Sequence, residues 1–190
     1  MVAIWGAMKS VVQPGDKVVS VINGVYGAGF ADIAALLGAD VHRLEYEWNV
    51  AIPTEDVVNQ IKEHKPDLVT LVHCETPSGI LNPINQIGES LGPNGLFLVD
   101  FVSSIGGSPI QADDNQIDIG IFAPHKVLSA PPSLAFTSLS EKAIERVRQV
   151  EYKGYDALAQ FLDAPANKQM PYTANWHGIN ATTTAVDLLL

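Results

Sequence analysis

Residues 118–132 read DIGIFAPHKVLSAPP: an apolar run that stops at Pro124, then a histidine, a lysine and a stiff Ala-Pro-Pro. A short, unbroken apolar run bounded by proline is the pattern of a strand buried on both faces, as in a parallel sheet. Lys126 stands just past its end, and Pro124 before it and Pro131 and Pro132 behind it restrict the backbone that carries it. A charged, flexible side chain held in this way at a strand end needs a reason.

Similar runs recur on both sides. DKVVSVIN (16–23), DVHRLEYE (40–47), LVTLVHC (68–74), LFLVDF (96–101) and LAFTSL (134–139) read as strands. Helical patterns separate them. One covers Val2 to Val12 and closes at Pro14-Gly15, and GAGFADIAALLG (27–38) closes at Gly38. In TEDVVNQIKEHK (54–65), Thr54 is the expected cap, acids fill the first turn, and lysine and histidine fill the last. PINQIGESL (83–91) begins at Pro83 and is stopped by GPNG, and SEKAIERVRQV (140–150) carries Ser140 as its cap. The alternation predicts an α/β fold with a mostly parallel sheet flanked by helices.

Composition narrows the function classes. The chain has 190 residues, 47% apolar and 17% charged, which suits one sizeable globular domain. With a net charge of −10 and a pI of about 4.7 it has no basic stripe for nucleic acid. Cys74 is the single cysteine, so no internal disulfide forms and a cytoplasmic setting is expected. No apolar run reaches the ~18 residues of a membrane span, and MVAIWGAMKSVVQPGDK lacks the features of a signal peptide. The sequence starts inside one helical pattern and ends in another, ATTTAVDLLL, without a stop signal. A segment of a longer protein, or an unusually short version of one, is expected, with residues 1–150 as a core and 151–190 as a tail leading toward a further domain.

In a parallel sheet, ligands gather at the carboxyl ends of the strands. The polar residues there are Asn23, His73, Cys74, Glu75, Thr76, Asp100, Ser103, Ser104, His125 and Lys126. Asp100, ending an apolar run, either closes an internal ion pair or loop, or faces a bound cation. Lys126 is either a surface lysine or an amine whose environment frees it to form a Schiff base. An acid and a lysine at the ends of successive buried strands together suit pyridoxal phosphate: the lysine for the aldehyde, the acid for the ring nitrogen. The five histidines show no metal-ligand spacing, and Gly24, Gly27 and Gly29 lack the dinucleotide-binding spacing.

Three ordered motifs add a resemblance: H-x-E-T-x-S-G-x-L-x-P-I from His73, L-F-L-V-D-x-V-S-S-x-G-G from Leu96, and K-x-L-x-A-P-P from Lys126. With the separation 126 − 100 = 26 between lysine and acid, the chain resembles class V aminotransferases of the alanine–glyoxylate / serine–pyruvate type. The resemblance implies the large domain of a fold-type-I, pyridoxal-phosphate-dependent transferase, a three-layer α/β/α body. It implies Lys126 as the aldimine lysine and proton shuttle, and Asp100 as partner of the pyridinium nitrogen. Tyr26 is implied as the aromatic stacked on the ring, where relatives often carry Trp, and Thr76 as a neighbour of the phenolic oxygen. His125 is implied as a phosphate contact, and Thr173 as a residue lent to the phosphate of a neighbouring subunit in a homodimer. The implied substrates are a small amino acid and a small 2-oxo acid such as pyruvate or glyoxylate. The alternatives are a related lyase or desulfurase, which usually stacks a histidine where Tyr26 stands, or a truncated, non-catalytic fragment.

The family's Gly/Ser-rich phosphate loop and substrate-gripping C-terminal arginine have no match in the sequence; Arg43, Arg146 and Arg148 do not fit the latter. Ser133 replaces the usual glycine after the Pro-Pro pair.

Overall fold

The computed structural model describes residues 2–189. Each apolar run becomes a strand of one sheet: β1 Lys17–Ile22, β2 Asp40–Glu45, β3 Leu68–Val72, β4 Leu96–Asp100, β5 Ile119–Phe122 and β6 Phe136–Leu139. They lie in the order β2-β1-β3-β4-β5-β6. The first five are parallel, and β6 pairs antiparallel with β5. The helices are α1 Val2–Val11, α2 Val25–Leu36, α3 Thr54–His64, α4 Glu141–Val150, α5 Ala159–Leu162, α6 Ala164–Asn167 and α7 Trp176–Asp187.

Neighbouring residues of a strand point to opposite faces, so the central strands feed two cores. From β4, Leu96 and Leu98 join Met8, Phe30, Ile119 and Val147 on the face covered by α1, α2 and α4. Phe97 and Val99 join Val57, Ile61, Ile84 and Ile87 on the face covered by α3 and the long β3–β4 connection. The result is the expected three-layer α/β/α arrangement. The edge strand β2 is half exposed, and Arg43 on it pairs with Asp32 and Glu45 at 2.9 Å each. Charge on an edge strand discourages pairing with another chain.

Two local expectations change. Thr54 is the first residue of α3 and not its cap: the cap position is Pro53, with no side-chain bond to the helix, so Glu55 and Asp56 are the acids left to face its N-terminal dipole. Residues 83–91 form only the short 3₁₀ turn Gly88–Ser90. Gln86 adopts a left-handed φ of 67°, and Gly88 lies against the Asn115 and Gln116 carbonyls, where a Cβ has no room. Ser140 does cap α4, accepting the Ala143 N–H at 3.1 Å.

The chain runs from β1 outward to β2 and then returns past β1 to β3. The carboxyl ends of β1 and β3 therefore flank a topological switch point, the usual place for a ligand crevice in such sheets.

Candidate active site

Loops following β1, β3, β4 and β5 meet at this edge. Tyr26, Thr76, Asp100, Ser103, His125 and Lys126 line one cavity of about 200 Å³, closed on another side by Ala3 and Ile4 of α1. Lys126 reaches it from a loop tied by its own backbone. Ala130 N–H donates to the Pro124 carbonyl and Ser129 N–H to the Lys126 carbonyl, both at 2.9 Å. The prolines limit the loop's conformations and these bonds select one of them.

Lys126 Nζ donates to Thr76 Oγ1 at 2.6 Å and to Ser103 Oγ at 2.7 Å. The two hydroxyls are themselves 2.7 Å apart. The same Nζ stands 5.4 Å from the centre of the Tyr26 ring, within cation–π range. Tyr26 is 41% exposed, so its ring is available to a ligand.

Asp100 ends β4 between Val72 of β3 and Ile121 of β5, and is 5% exposed. Its Oδ1 accepts the Val102 N–H at 2.7 Å. Burial pushes its carboxyl above the ordinary range, opposed by that N–H and by the charge of Lys126. No ion pair to Asp100 occurs among the described residues. A buried acid so placed suits a cationic group entering the cavity. An amine, an aromatic face and a buried carboxylate thus surround one space, a donor set that fits pyridoxal phosphate.

The other sequence candidates fall into place differently. His125 is exposed and borders the cavity. Thr173 lies on an exposed segment before α7, and the fold does not bring it to the cavity lining. His73 is buried, with Nδ1 2.9 Å from Ser104 Oγ and its ring edge-on to Phe101, and burial lowers its pKa. Burial likewise raises the Cys74 thiol, the opposite of what a nucleophile needs. No group of metal-ligating side chains occurs among the described residues. Ser103 and Glu75 stand at strand ends in the sequence, but neither receives a role there. For Ser103 the available signal is its place three residues past Asp100 on the same loop.

The similarity to known proteins extends over nearly the whole chain. Residues 1–187 match the family described as Aminotransferase class-V. An uncharacterized aminotransferase of Methanocaldococcus jannaschii is 37% identical over 191 residues, covering 97% of this chain and 49% of the relative. The crystal structure of pyridoxamine–pyruvate aminotransferase from Mesorhizobium loti superposes with a TM-score of 0.91 at 30% identity, covering 99% of this chain and 50% of that one. That of ureidoglycine–glyoxylate aminotransferase from Bacillus subtilis gives 0.89 at 32% identity, with 99% and 50% coverage. The chain spans about half the length of the relatives it matches.

Proposed function

Because this chain belongs to the aminotransferase class-V family, whose members use pyridoxal phosphate, we propose that it forms the cofactor-holding core of an aminotransferase. In this reading the enzyme moves an amino group from a small amino acid to a small 2-oxo acid. The names of the similar proteins, which include pyruvate and glyoxylate, support that substrate class. The observation that carries the reading is the convergence of Lys126, Tyr26 and a buried Asp100, without an ionic partner among the described residues, on one cavity at the sheet's carboxyl edge.

When bound, pyridoxal phosphate supplies an aldehyde that captures amines and a cationic ring that withdraws electrons. Lys126 is the one lysine among the described residues that lines the cavity, and its Nζ would be the nitrogen that holds the cofactor's aldehyde and the base that moves a proton at the substrate carbon. Thr76 and Ser103 each accept an N–H from Lys126 and hold it in place. Asp100 would hold the ring nitrogen protonated, and Tyr26 would present an aromatic face to the ring. His125 would contact the phosphate, and Thr173 would do so in the partner of a homodimer. Residues 1–150 act as the cofactor-holding body, with 151–190 as the tail toward a further domain. The single free cysteine suits a cytoplasmic setting.

The test is product analysis with the purified protein, pyridoxal phosphate and alternative donors. Alanine with glyoxylate should yield pyruvate and glycine. Release of sulfide from cysteine, with no oxo acid formed from alanine, would instead assign a desulfurase.

A further inference from the structure

Glu75 is fully buried, at 0% exposure, directly before Thr76 in the chain and beneath the first turn of α2. Its Oε1 accepts the Gly27 N–H at 2.8 Å from 48 residues away. Its Oε2 has no hydrogen-bond partner among the described residues. The first N–H groups of a helix have no partner within it and are usually met by a capping side chain. At the start of α2 the cap position is Gly24, which has none, and Glu75 takes over from the loop after β3. The seat depends on missing side chains: a Cβ on Gly24 would strike the Glu75 carboxyl, and one on Gly27 would lie 2.8 Å from the Val21 carbonyl oxygen.

The loop that delivers Glu75 is itself fixed. Glu75 N–H donates to the Ile80 carbonyl at 3.1 Å, and Gly79 N–H donates to the Glu75 carbonyl at 2.8 Å. Alongside it, Asn23 and Asn82 exchange amide hydrogen bonds of 2.7 and 2.9 Å. The turn after β1 and the loop after β3 are therefore tied together below the cavity, across the switch point. The first carries Tyr26 and the second carries Thr76.

We infer that Glu75 is a positioning residue: its carboxyl oxygen holds the α2 N-terminus and so sets the Tyr26 ring, while its backbone sets the Thr76 hydroxyl that receives Lys126. This rests on the reading of Tyr26 and Lys126 as cofactor-holding residues. It is the reach of the side chain to the Gly27 amide, more than its charge, that does this. Glu75→Gln keeps the reach and drops the charge; Glu75→Asp keeps the charge and withdraws the acceptor by one carbon.

The experiment measures pyridoxal phosphate affinity by equilibrium dialysis of the purified protein, with circular dichroism confirming the folded state. Glu75→Gln should stay within ~3-fold of wild type and Glu75→Asp should lose ~10-fold, the scale of a buried hydrogen bond to a charged group. Tyr26→Ala should also lose affinity, and adding Glu75→Asp to it should cost less than ~2-fold more, because the two act through one contact. Multiplying losses, or a Glu75→Asp protein that binds like wild type while Glu75→Gln fails, would overturn the proposal. If Glu75→Asp does not fold, Gly24→Ala displaces the carboxyl from the other side, and unchanged affinity there would overturn it equally. No effect of Tyr26→Ala would remove the ring-facing role and this proposal with it, while leaving the attachment of the cofactor at Lys126 to its own test.

Discussion

Asp100 and Asp118 are both buried acids beside neighbouring strands, at 5% exposure each, and they differ in what surrounds them. Asp118 lies at the amino edge of the sheet. Its Oδ2 accepts the Phe97 N–H at 2.9 Å and faces Lys142 Nζ at 3.0 Å, and its Oδ1 accepts the Ser140 hydroxyl at 2.6 Å. Asp100, at the carboxyl edge, has one backbone donor and opens on a cavity. The amino edge satisfies its acid from within and stitches β4, β5 and α4 together. The carboxyl edge leaves its acid short of a partner. That difference separates an acid serving stability from one awaiting a ligand.

Substitutions can break this contrast. The largest effect belongs to the amine that shares the Asp100 cavity. Lys126→Ala should reduce amino transfer by at least ~10³-fold, since no other lysine among the described residues lines the cavity, while leaving the thermal midpoint close to wild type. Turnover assays and a melting curve on the same preparation check both halves. Asp100→Asn should lower turnover by ~10²-fold, because the ring-facing charge is lost, without lowering the stability of the cofactor-free chain.

Asp118→Asn should do the reverse. It should destabilise the fold by about 2 kcal/mol, at the low end for a buried pair because the Lys142 side chain is 34% exposed. Cofactor affinity of the folded protein should not change. Denaturant titration beside dialysis measures the pair, and a stability loss at Asp100 equal to that at Asp118 would erase the distinction.

The contrast also has a pH signature. Burial raises the Asp100 carboxyl in the folded chain, so the folded state holds its proton at pH values where the unfolded chain has lost it. The stability this contributes is fully present below the ordinary carboxylate range and is lost as pH rises through the raised folded value. Glu75, raised by burial as well, adds in the same direction. Denaturant unfolding of the cofactor-free chain across the acid range should therefore show a decline with rising pH that is shallower in Asp100→Asn. An identical slope in the variant would count against it. A smaller effect belongs to Ser140, which caps α4 and also reaches Asp118: Ser140→Ala should cost about 1 kcal/mol by the same titration.

Much of this was legible in the sequence, because strands buried on both faces write themselves as blunt apolar runs. The blunt runs became the buried strands β1, β3, β4 and β5, while the alternating 40–47 and the run 134–139 became the more exposed edge strands β2 and β6. Lys126 and Asp100 stood out as polar residues at the ends of those runs, and the motifs around them carried the family. What the sequence hid depends on contacts between distant segments. Ile84, Ile87 and Leu91 have helical spacing, yet the Gly88 fit against the 115–116 carbonyls and the left-handed Gln86 stop a helix from forming. Asp118 and Asp100 look alike in sequence, since Lys142 and Ser140 reach the former only after β6 folds back. Glu75 looked like one more strand-end residue, because the amide it caps is 48 positions away.

The most direct measurement is to load the protein with pyridoxal phosphate, reduce it with borohydride, and locate the modified peptide by mass spectrometry. The label should sit on Lys126 and vanish in Lys126→Ala. A label on another lysine, such as Lys9 or Lys142, with Lys126 unmodified, would contradict the assignment of the cavity at the carboxyl edge as the place where this chain does its chemistry.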